Sequence, residues 1–237
     1  MPTPHITDAR IVAGMKKQAE LRRAAIAAGA KPLGWKAGFG APAALAKFGI
    51  TGPQVGFLMQ AAGIESGGVA SLKGWTKPVA EPEIAVHMGA DLAPGADEAT
   101  IRAAIGGLGA AIELVDFAFP PEDMEAILAA NIYQRNVVLG PCNTARAGGK
   151  LDGITARIFR RGAQAATTTT LEANTGRIID VVRQVADVTA QFYAGLKAGD
   201  VIITGSVVPP IVLDADEPSL GHTLDPVSEV SVRFSRS

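Results

Sequence analysis

The sequence contains little cysteine, little histidine and no excess of charge of either sign. Its single cysteine, Cys142, cannot form an intramolecular disulfide, as expected in a reducing cytoplasm. The 22 lysines and arginines nearly balance the 23 aspartates and glutamates, so there is no electrostatic footprint for nucleic acid or an anionic membrane. Neither a membrane-spanning apolar run nor a signal-peptide pattern is present. These absences predict a cytoplasmic protein whose partners are small molecules or other proteins.

The scarce histidines and the cysteine offer no recognisable catalytic arrangement. His5, His87 and His222 share neither the spacing of a metal site nor that of a triad. Cys142 follows the sequence LGP and is interpreted as a buried, inert thiol rather than a nucleophile. The chemistry of the chain must therefore be sought among other residue types.

The composition is that of a folded protein, with 48% hydrophobic residues in a chain of 237. No Pro/Ser-rich or charge-dense stretch divides the chain, so we predict one domain over residues 1–237 with an N-terminal helical segment at about 9–29. Asp8 is the expected N-cap of that helix and Gly29 its stop. Short runs bounded by glycine and proline predict strands that outnumber the helices. The fold class is therefore α+β with a strand-rich core.

A second helix is predicted ahead of the run AAIELVDF. Asp97 or Thr100 would open it, and Ile101, Ile105 and Leu108 would lie on its apolar face. The helix would lead directly into the apolar run that follows.

The stretch AEPEIAVHMG places Glu81 and Glu83 two positions apart in an otherwise apolar segment. In an extended strand such residues share a face and lie roughly 6.5 Å apart. One interpretation is the solvated side of an edge strand, which Pro82 would suit. The other is that the two carboxylates act together on a ligand.

Glu113 strengthens the second interpretation because apolar residues surround it in GAAIELVDF. An ionised carboxylate in such a setting needs a cation, hydrogen bonds or a raised pKa. Three carboxylates around one point would suit Mg²⁺ or Mn²⁺, with positions left open for water and substrate. Pairing of Glu113 with a distant lysine or arginine is the structural alternative.

Two further stretches carry candidate substrate contacts. Lys36 in GWKAG could hold a substrate carboxylate, stabilise an enolate or move protons beside a metal, or could be a surface lysine. In VIITGSVVPP, the hydroxyls of Thr204 and Ser206 could receive a substrate carboxylate, or the stretch could be an ordinary turn.

Five ordered motifs, GWKAG, EPEIAVHMGADL, AAIELVDF, NIYQRNVVLG and LKAGDVIITGS, together resemble one family. It is the 2-keto-4-pentenoate hydratase group of the fumarylacetoacetate hydrolase superfamily, which also includes 4-oxalocrotonate decarboxylases. The resemblance implies a mixed β-roll of the fumarylacetoacetase C-terminal type with flanking helices, and a homo-oligomer. It assigns Mg²⁺ or Mn²⁺ to Glu81, Glu83 and Glu113, and places Lys36 near the substrate. Thr204 and Asn131 also match family positions.

One loop departs from this resemblance. The family stretch DNASSG is here ANIYQR, in which Ala130 replaces the acid and bulkier residues follow as far as Arg135. Such changes would narrow or recharge the pocket. The hydroxyls expected after the lysine motif are also missing, because that stretch is GFGAP. The scaffold is thus better supported than the usual substrate.

The resemblance implies a metal-dependent hydratase that adds water to a 2-hydroxy-2,4-dienoate to give a 4-hydroxy-2-oxo acid. One alternative is a decarboxylase of a 2-oxo-3-enedioate, in which Arg135 would hold the second carboxylate. Another is a non-catalytic binding protein or subunit on the same scaffold. Association with a related decarboxylase or hydratase is a further expectation.

Overall fold

The computed structural model describes residues 6–118 and 123–236. In these residues no helix combines the length and the apolarity needed to cross a bilayer. The α-helices of the described chain are α1 Ala9–Ala27, α2 Pro42–Phe48, α3 Glu98–Ala104, α4 Met124–Ala129 and α5 Ile178–Phe192. The strands are β1 Pro32–Gly38, β2 Gln54–Met59, β3 Gly63–Ile64, β4 Val69–Ser71, β5 Pro78–Met88, β6 Ile105–Asp116, β7 Gln134–Leu139, β8 Thr155–Arg160, β9 Ala163–Thr168, β10 Val201–Ser206, β11 Ile211–Val212, β12 Ser219–Asp225 and β13 Ser228–Ser235.

The strands form two mixed sheets that enclose the hydrophobic core. The first has the order β2-β1-β10-β5-β6-β7-β3, with β11 also paired to β5, and the second has the order β4-β13-β12-β8-β9. Strands β12 and β13 of the second sheet pack against β6 of the first. Strands outnumber helices and the helices flank the sheets, which confirms the predicted α+β class. The assignment of the whole chain to one domain stays a prediction.

Strand β5 lies in the middle of the first sheet, so the interpretation of an edge strand at Pro82 is wrong. It pairs with β10 on one side and with β6 on the other. The register places Pro82 opposite Ile112 and Glu81 opposite Glu113. Both strands are buried along nearly their whole length, which explains their continuous apolar character.

The second predicted helix is much shorter than its apolar pattern suggested. Helix α3 is capped by Asp97, whose side chain accepts from the Thr100 N–H, but it ends at Ala104. Ile105 and Leu108 belong to β6 instead, where both are buried. The glycines that follow Ile105 disfavour a helix, and pairing with β5 satisfies the backbone in extended form. By contrast, α1 begins after Asp8 as predicted, and the Asp8 carboxylate accepts from the Arg10 N–H.

Candidate metal centre

The carboxylates of Glu81, Glu83 and Glu113 lie together where β5 pairs with β6. One carboxylate oxygen from each lies within 4.8 Å of the others, and no other described residues form such a cluster of potential metal ligands. Glu83 and Glu113 are almost fully buried, whereas Glu81 is partly exposed toward a cavity. The register of β5 on β6 produces this cluster directly, because Glu81 and Glu113 are cross-strand partners.

The environment disfavours three negative charges in the absence of a cation. Burial, together with the neighbouring Glu113 and Glu81, raises the pKa of Glu83 well above its usual range. Burial likewise raises the pKa of Glu113 to about 7, although Lys36 opposes the shift. Burial also raises the pKa of Glu81, although the positive charge of Lys36 lowers it in part. The cluster therefore carries more potential negative charge than its single lysine compensates.

The donor set fits a hard divalent cation. Glu83 Oε2 accepts a hydrogen bond from the Gly205 N–H at 2.6 Å, but its buried Oε1 has no hydrogen-bond partner among the described residues. Buried carboxylate oxygens normally have partners, so a free oxygen beside two further carboxylates is the arrangement expected of Mg²⁺ or Mn²⁺ ligands.

Lys36 is a buried member of the same cluster and not a surface lysine. It lies on β1, and its side chain is only 2% exposed. Its Nζ forms an ion pair with Glu113 Oε1 and donates a hydrogen bond to the Ile132 carbonyl at 3.0 Å. The Lys36 ammonium group would therefore lie next to any ligand that approaches the three glutamate carboxylates.

Strand β10 contributes backbone and hydroxyl groups beside the cluster. The Thr204 hydroxyl is buried and donates to the Ile84 carbonyl at 3.2 Å, whereas Ser206 lines the cavity and lies 3.4 Å from the Pro82 carbonyl. Gly205 between them has a φ of 95°, and a Cβ there would lie 2.9 Å from a Thr175 methyl group. Glycine is therefore required where the backbone N–H reaches Glu83.

The remaining predicted substrate contacts lie elsewhere. Asn131 is buried, and its carboxamide bonds to the Phe57 backbone and not to the cavity. Arg135 is half exposed, pairs with Asp116 at 3.3 Å and lies over the Trp75 ring. The structure thus places Arg135 outside the cavity in which it was expected to hold a second carboxylate.

Histidine and cysteine take no part in the cluster. His87 and His222 lie in β5 and β12 outside it, and His5 lies outside the described residues. Cys142 is exposed, so the prediction of a buried thiol is wrong. Its position in the loop after β7 leaves it at the surface, although partial desolvation still raises its pKa.

A cavity of about 160 Å³ opens over the cluster. Lys36, Glu81 and Ser206 form part of its polar lining, together with Asn174 and Thr175. Lys36 is the one basic residue among the described residues that line it. The large side chains of its apolar wall are Phe39, Val115, Phe117, Ile132 and Tyr133.

The residues of this apolar wall carry no chemistry-bearing group that marks them in the sequence. Phe39 directly follows the motif GWKAG, and Phe117 is the last residue of AAIELVDF. Their nearness to the motifs is a signal that could have identified them. For Ile132 and Tyr133, only the departure of ANIYQR from the family pattern pointed to the pocket.

Comparison with known proteins gives consistent matches. Residues 36–228 match the family described as fumarylacetoacetate (FAA) hydrolase C-terminal. A 4-oxalocrotonate decarboxylase from Pseudomonas sp is 26% identical over 220 residues, which cover 89% of this chain and 83% of the relative.

Solved structures show the same fold. The 4-oxalocrotonate decarboxylase from Pseudomonas putida G7, complexed with magnesium and adipate, superposes with a TM-score of 0.85 at 24% identity, covering 98% of this chain and 88% of that one. Fumarylpyruvate hydrolase from Pseudomonas aeruginosa, in complex with Mn²⁺ and pyruvate, gives a TM-score of 0.63 at 14% identity, covering 87% and 90%.

These matches correct the expectation of a hydratase, which was wrong as the main functional hypothesis. The curated relative and the structure with a TM-score of 0.85 are both 4-oxalocrotonate decarboxylases, so the decarboxylase alternative is better supported. The family assignment itself is confirmed. Because the match over residues 36–228 spans most of the sequence, the chain belongs to the fumarylacetoacetate hydrolase C-terminal family.

Proposed function

We propose that this protein is a metal-dependent decarboxylase of a 2-oxo-3-enedioate of the 4-oxalocrotonate type. The observation that carries the proposal is a cluster of three carboxylates and one lysine beneath a cavity with an apolar wall. The similarity to 4-oxalocrotonate decarboxylase over 89% of the chain supports the choice of reaction.

Glu81, Glu83 and Glu113 would hold the metal ion, Mg²⁺ or Mn²⁺. Support comes from the unpartnered Oε1 of Glu83 and from the magnesium and adipate in the Pseudomonas putida structure. When bound, the cation would act as a Lewis acid toward the 2-oxo acid end of the substrate. The net negative charge of the cluster would attract the ion, and Lys36 would keep that charge from exceeding what one divalent cation neutralises.

In the proposed reaction, the carbon–carbon bond to the distal carboxylate breaks and CO₂ leaves. The electron pair passes through the conjugated double bond to the 2-oxo oxygen, giving a 2-hydroxy-2,4-dienoate after protonation. Lys36 Nζ would stabilise the negative charge on that oxygen and supply its proton. The Ser206 hydroxyl, which also lines the cavity, would orient the substrate through a hydrogen bond. Asn174 Nδ2 donates to the Ser206 and Val208 carbonyls and would hold this backbone in place.

The apolar wall would promote loss of the distal carboxylate. Phe39, Phe117 and Ile132 offer it no charge, and Arg135 lies outside the cavity. A carboxylate in such surroundings is poorly solvated, whereas the CO₂ that it becomes is uncharged. The wall would also keep water from the dienoate product, which favours decarboxylation over hydration.

The proposal is tested by incubating the protein with 2-oxohex-3-enedioate and, separately, with 2-hydroxypenta-2,4-dienoate. Each reaction contains Mg²⁺, Mn²⁺ or a chelator, and all products are identified. We expect CO₂ and the hydroxydienoate from the first substrate, only with metal, and no hydration of the second. Formation of a 4-hydroxy-2-oxo acid without CO₂ release would contradict the proposal. The absence of reaction with both substrates would favour a non-catalytic binding protein.

We also propose two associations, that copies of this chain bind one another and that the protein binds a related hydratase. A hydratase would consume the dienoate that the decarboxylase releases. Light scattering of the purified protein tests self-association, and we expect a molar mass greater than the 24.3 kDa of one chain. Co-purification with a hydratase tests the association between the two enzymes. A monomeric mass would contradict self-association, and failure to co-purify would contradict association with the hydratase.

A further inference from the structure

The segment between α4 and β7 contains three consecutive residues with left-handed backbone conformations. Asn131, Ile132 and Tyr133 have φ values of 55°, 52° and 61°, and none of them is glycine. A β-branched residue such as Ile132 is rarely found in this region, because its Cβ substituents clash with the backbone. Such strain persists only where surrounding contacts hold it, and it is concentrated at functional sites.

Asn131 supplies contacts that hold this left-handed turn. Its Oδ1 accepts from the Phe57 N–H at 2.8 Å and its Nδ2 donates to the Phe57 carbonyl at 2.9 Å. Phe57 lies on β2, an edge strand of the first sheet, so the Asn131 carboxamide bonds to it as a neighbouring strand would. The Asn131 N–H also donates to the Leu128 carbonyl of α4 at 3.0 Å. The turn is thereby fixed between a helix and a strand edge.

The turn brings the Ile132 carbonyl to Lys36. Lys36 Nζ donates to this carbonyl at 3.0 Å and contacts Glu113 Oε1 on another side. An ammonium group has three N–H donors, so these two partners leave one donor for a ligand in the cavity. Because two donors are fixed, the direction of the third is fixed as well.

Gly56 shows how closely these groups are packed. A Cβ added at Gly56 would lie 2.8 Å from Lys36 Cγ and 2.9 Å from Asn131 Oδ1. No side chain fits beneath both groups, so Lys36 and Asn131 share the space that this glycine leaves open. A methyl group there would displace one of them.

We propose that Asn131 is a positioning residue, which locks the left-handed turn so that the Ile132 carbonyl aims Lys36 Nζ at the substrate. The importance of this Lys36 orientation for catalysis rests on the proposed function. Asn131 acts without touching the substrate, because its carboxamide is engaged with Phe57. This assignment replaces the substrate contact that the sequence suggested for Asn131.

The test uses Asn131→Gly, because glycine adopts positive φ freely and only the carboxamide is lost. Gly56→Ala is the second variant, and it displaces Lys36 or Asn131 directly. The matched control is Asn136→Ala, which removes another asparagine bonded to a backbone carbonyl, that of Ala62, outside the cavity. Crystal structures, kcat, KM and the Kd for Mn²⁺ are measured for each protein.

For Asn131→Gly and Gly56→Ala we expect loss of the bond between Lys36 Nζ and the Ile132 carbonyl. We also expect a kcat lower by about 10- to 100-fold, with KM and the Mn²⁺ Kd changed by less than about threefold. Asn136→Ala should match the wild type. If Asn131→Gly does not fold, Asn131→Asp supplies the same readouts, because aspartate tolerates positive φ and removes only the donor to the Phe57 carbonyl.

Two results would overturn the proposal. One is an unmoved Lys36 in the variants, and the other is a raised KM with unchanged kcat, which would make Asn131 a substrate contact. If the wild type releases no CO₂, the proposed function fails, but the crystal structures still decide whether Asn131 positions Lys36. The two failures are therefore distinguishable.

Discussion

Lys36 and Glu113 form an ion pair that is almost completely shielded from solvent, with side-chain exposures of 2% and 1%. The pair joins β1 to β6 across the sheet and places one positive charge beside three carboxylates. Removing one partner of a buried pair leaves the other charge uncompensated. This relationship makes the roles of the lysine and the glutamates separable by substitution.

Glu113→Gln should weaken Mn²⁺ binding by more than about 100-fold, because it removes a proposed metal ligand. Mutation of residues that only hydrogen-bond to metal ligands already lowers metal affinity by about 10- to 100-fold. The amide preserves the shape of the side chain, so the fold should remain. Isothermal titration measures the change. Glu229→Gln, at an exposed position of β13, is the control and should bind Mn²⁺ as the wild type does. Equal affinity in the two variants would exclude Glu113 as a ligand.

Lys36→Met should keep Mn²⁺ affinity while kcat falls by about 10²- to 10⁴-fold, because the side chain retains its length but loses its donors. Lys73→Met, at an exposed lysine, should leave kcat unchanged. Turnover and Mn²⁺ titration are compared for both variants. Wild-type turnover in Lys36→Met would remove the lysine from the reaction.

The metal-free protein should lose stability relative to Glu83→Gln as pH rises. Burial raises the pKa of Glu83 well above its ordinary 4.5, and that of Glu113 to about 7, so the folded state favours the protonated forms. Their stabilising contribution is complete below the unfolded value and is lost as pH rises through the raised pKa. Glu83→Gln keeps the acceptor for the Gly205 N–H and cannot ionise.

Urea unfolding with a chelator should show that the stability of Glu83→Gln relative to the wild type increases as pH rises above 4.5. Added Mn²⁺ should reverse the order at pH 7.5, because binding stabilises the folded wild type. A stability difference that does not change with pH would contradict the charge assignment.

Arg135→Ala should change kcat/KM for the dicarboxylate by less than about fivefold. The Arg135 side chain is half exposed and lies outside the cavity. The buried Asp116 carboxylate also accepts from the Thr76 and Lys77 N–H groups, so it keeps partners when the arginine is removed. The measurement compares dicarboxylate and monocarboxylate substrates. A selective, larger loss with the dicarboxylate would show that Arg135 reaches the second carboxylate, as the sequence had suggested.

The strand that carries Glu81 and Glu83 was predictable because alternation and apolar content leave a local signature. Its partner was not, because register depends on residues distant in sequence, and the pattern alone allowed an edge strand. Glu113 was suspected through its apolar neighbours, a local feature that matches its burial. Ile105 was misassigned because short apolar runs fit helix and strand equally.

The loop residues were harder to assign. Asn131 matched a family position, but its bonds to Phe57 link residues 74 apart, a contact that no local pattern reveals. Arg135 was assigned from its charge, yet the turn before it directs the chain into β7 and the side chain to Asp116. Side-chain direction after three left-handed residues cannot be inferred from composition.

Metal-dependent decarboxylation is tested directly with 2-oxohex-3-enedioate labelled with ¹³C in the carboxyl group remote from the oxo group. The protein is mixed with this acid and Mn²⁺, and the label is followed by mass spectrometry. We expect labelled CO₂ released at a catalytic rate, suppressed by chelator and by Lys36→Met. Label retained in an organic acid product, or CO₂ released no faster than without protein, would contradict it.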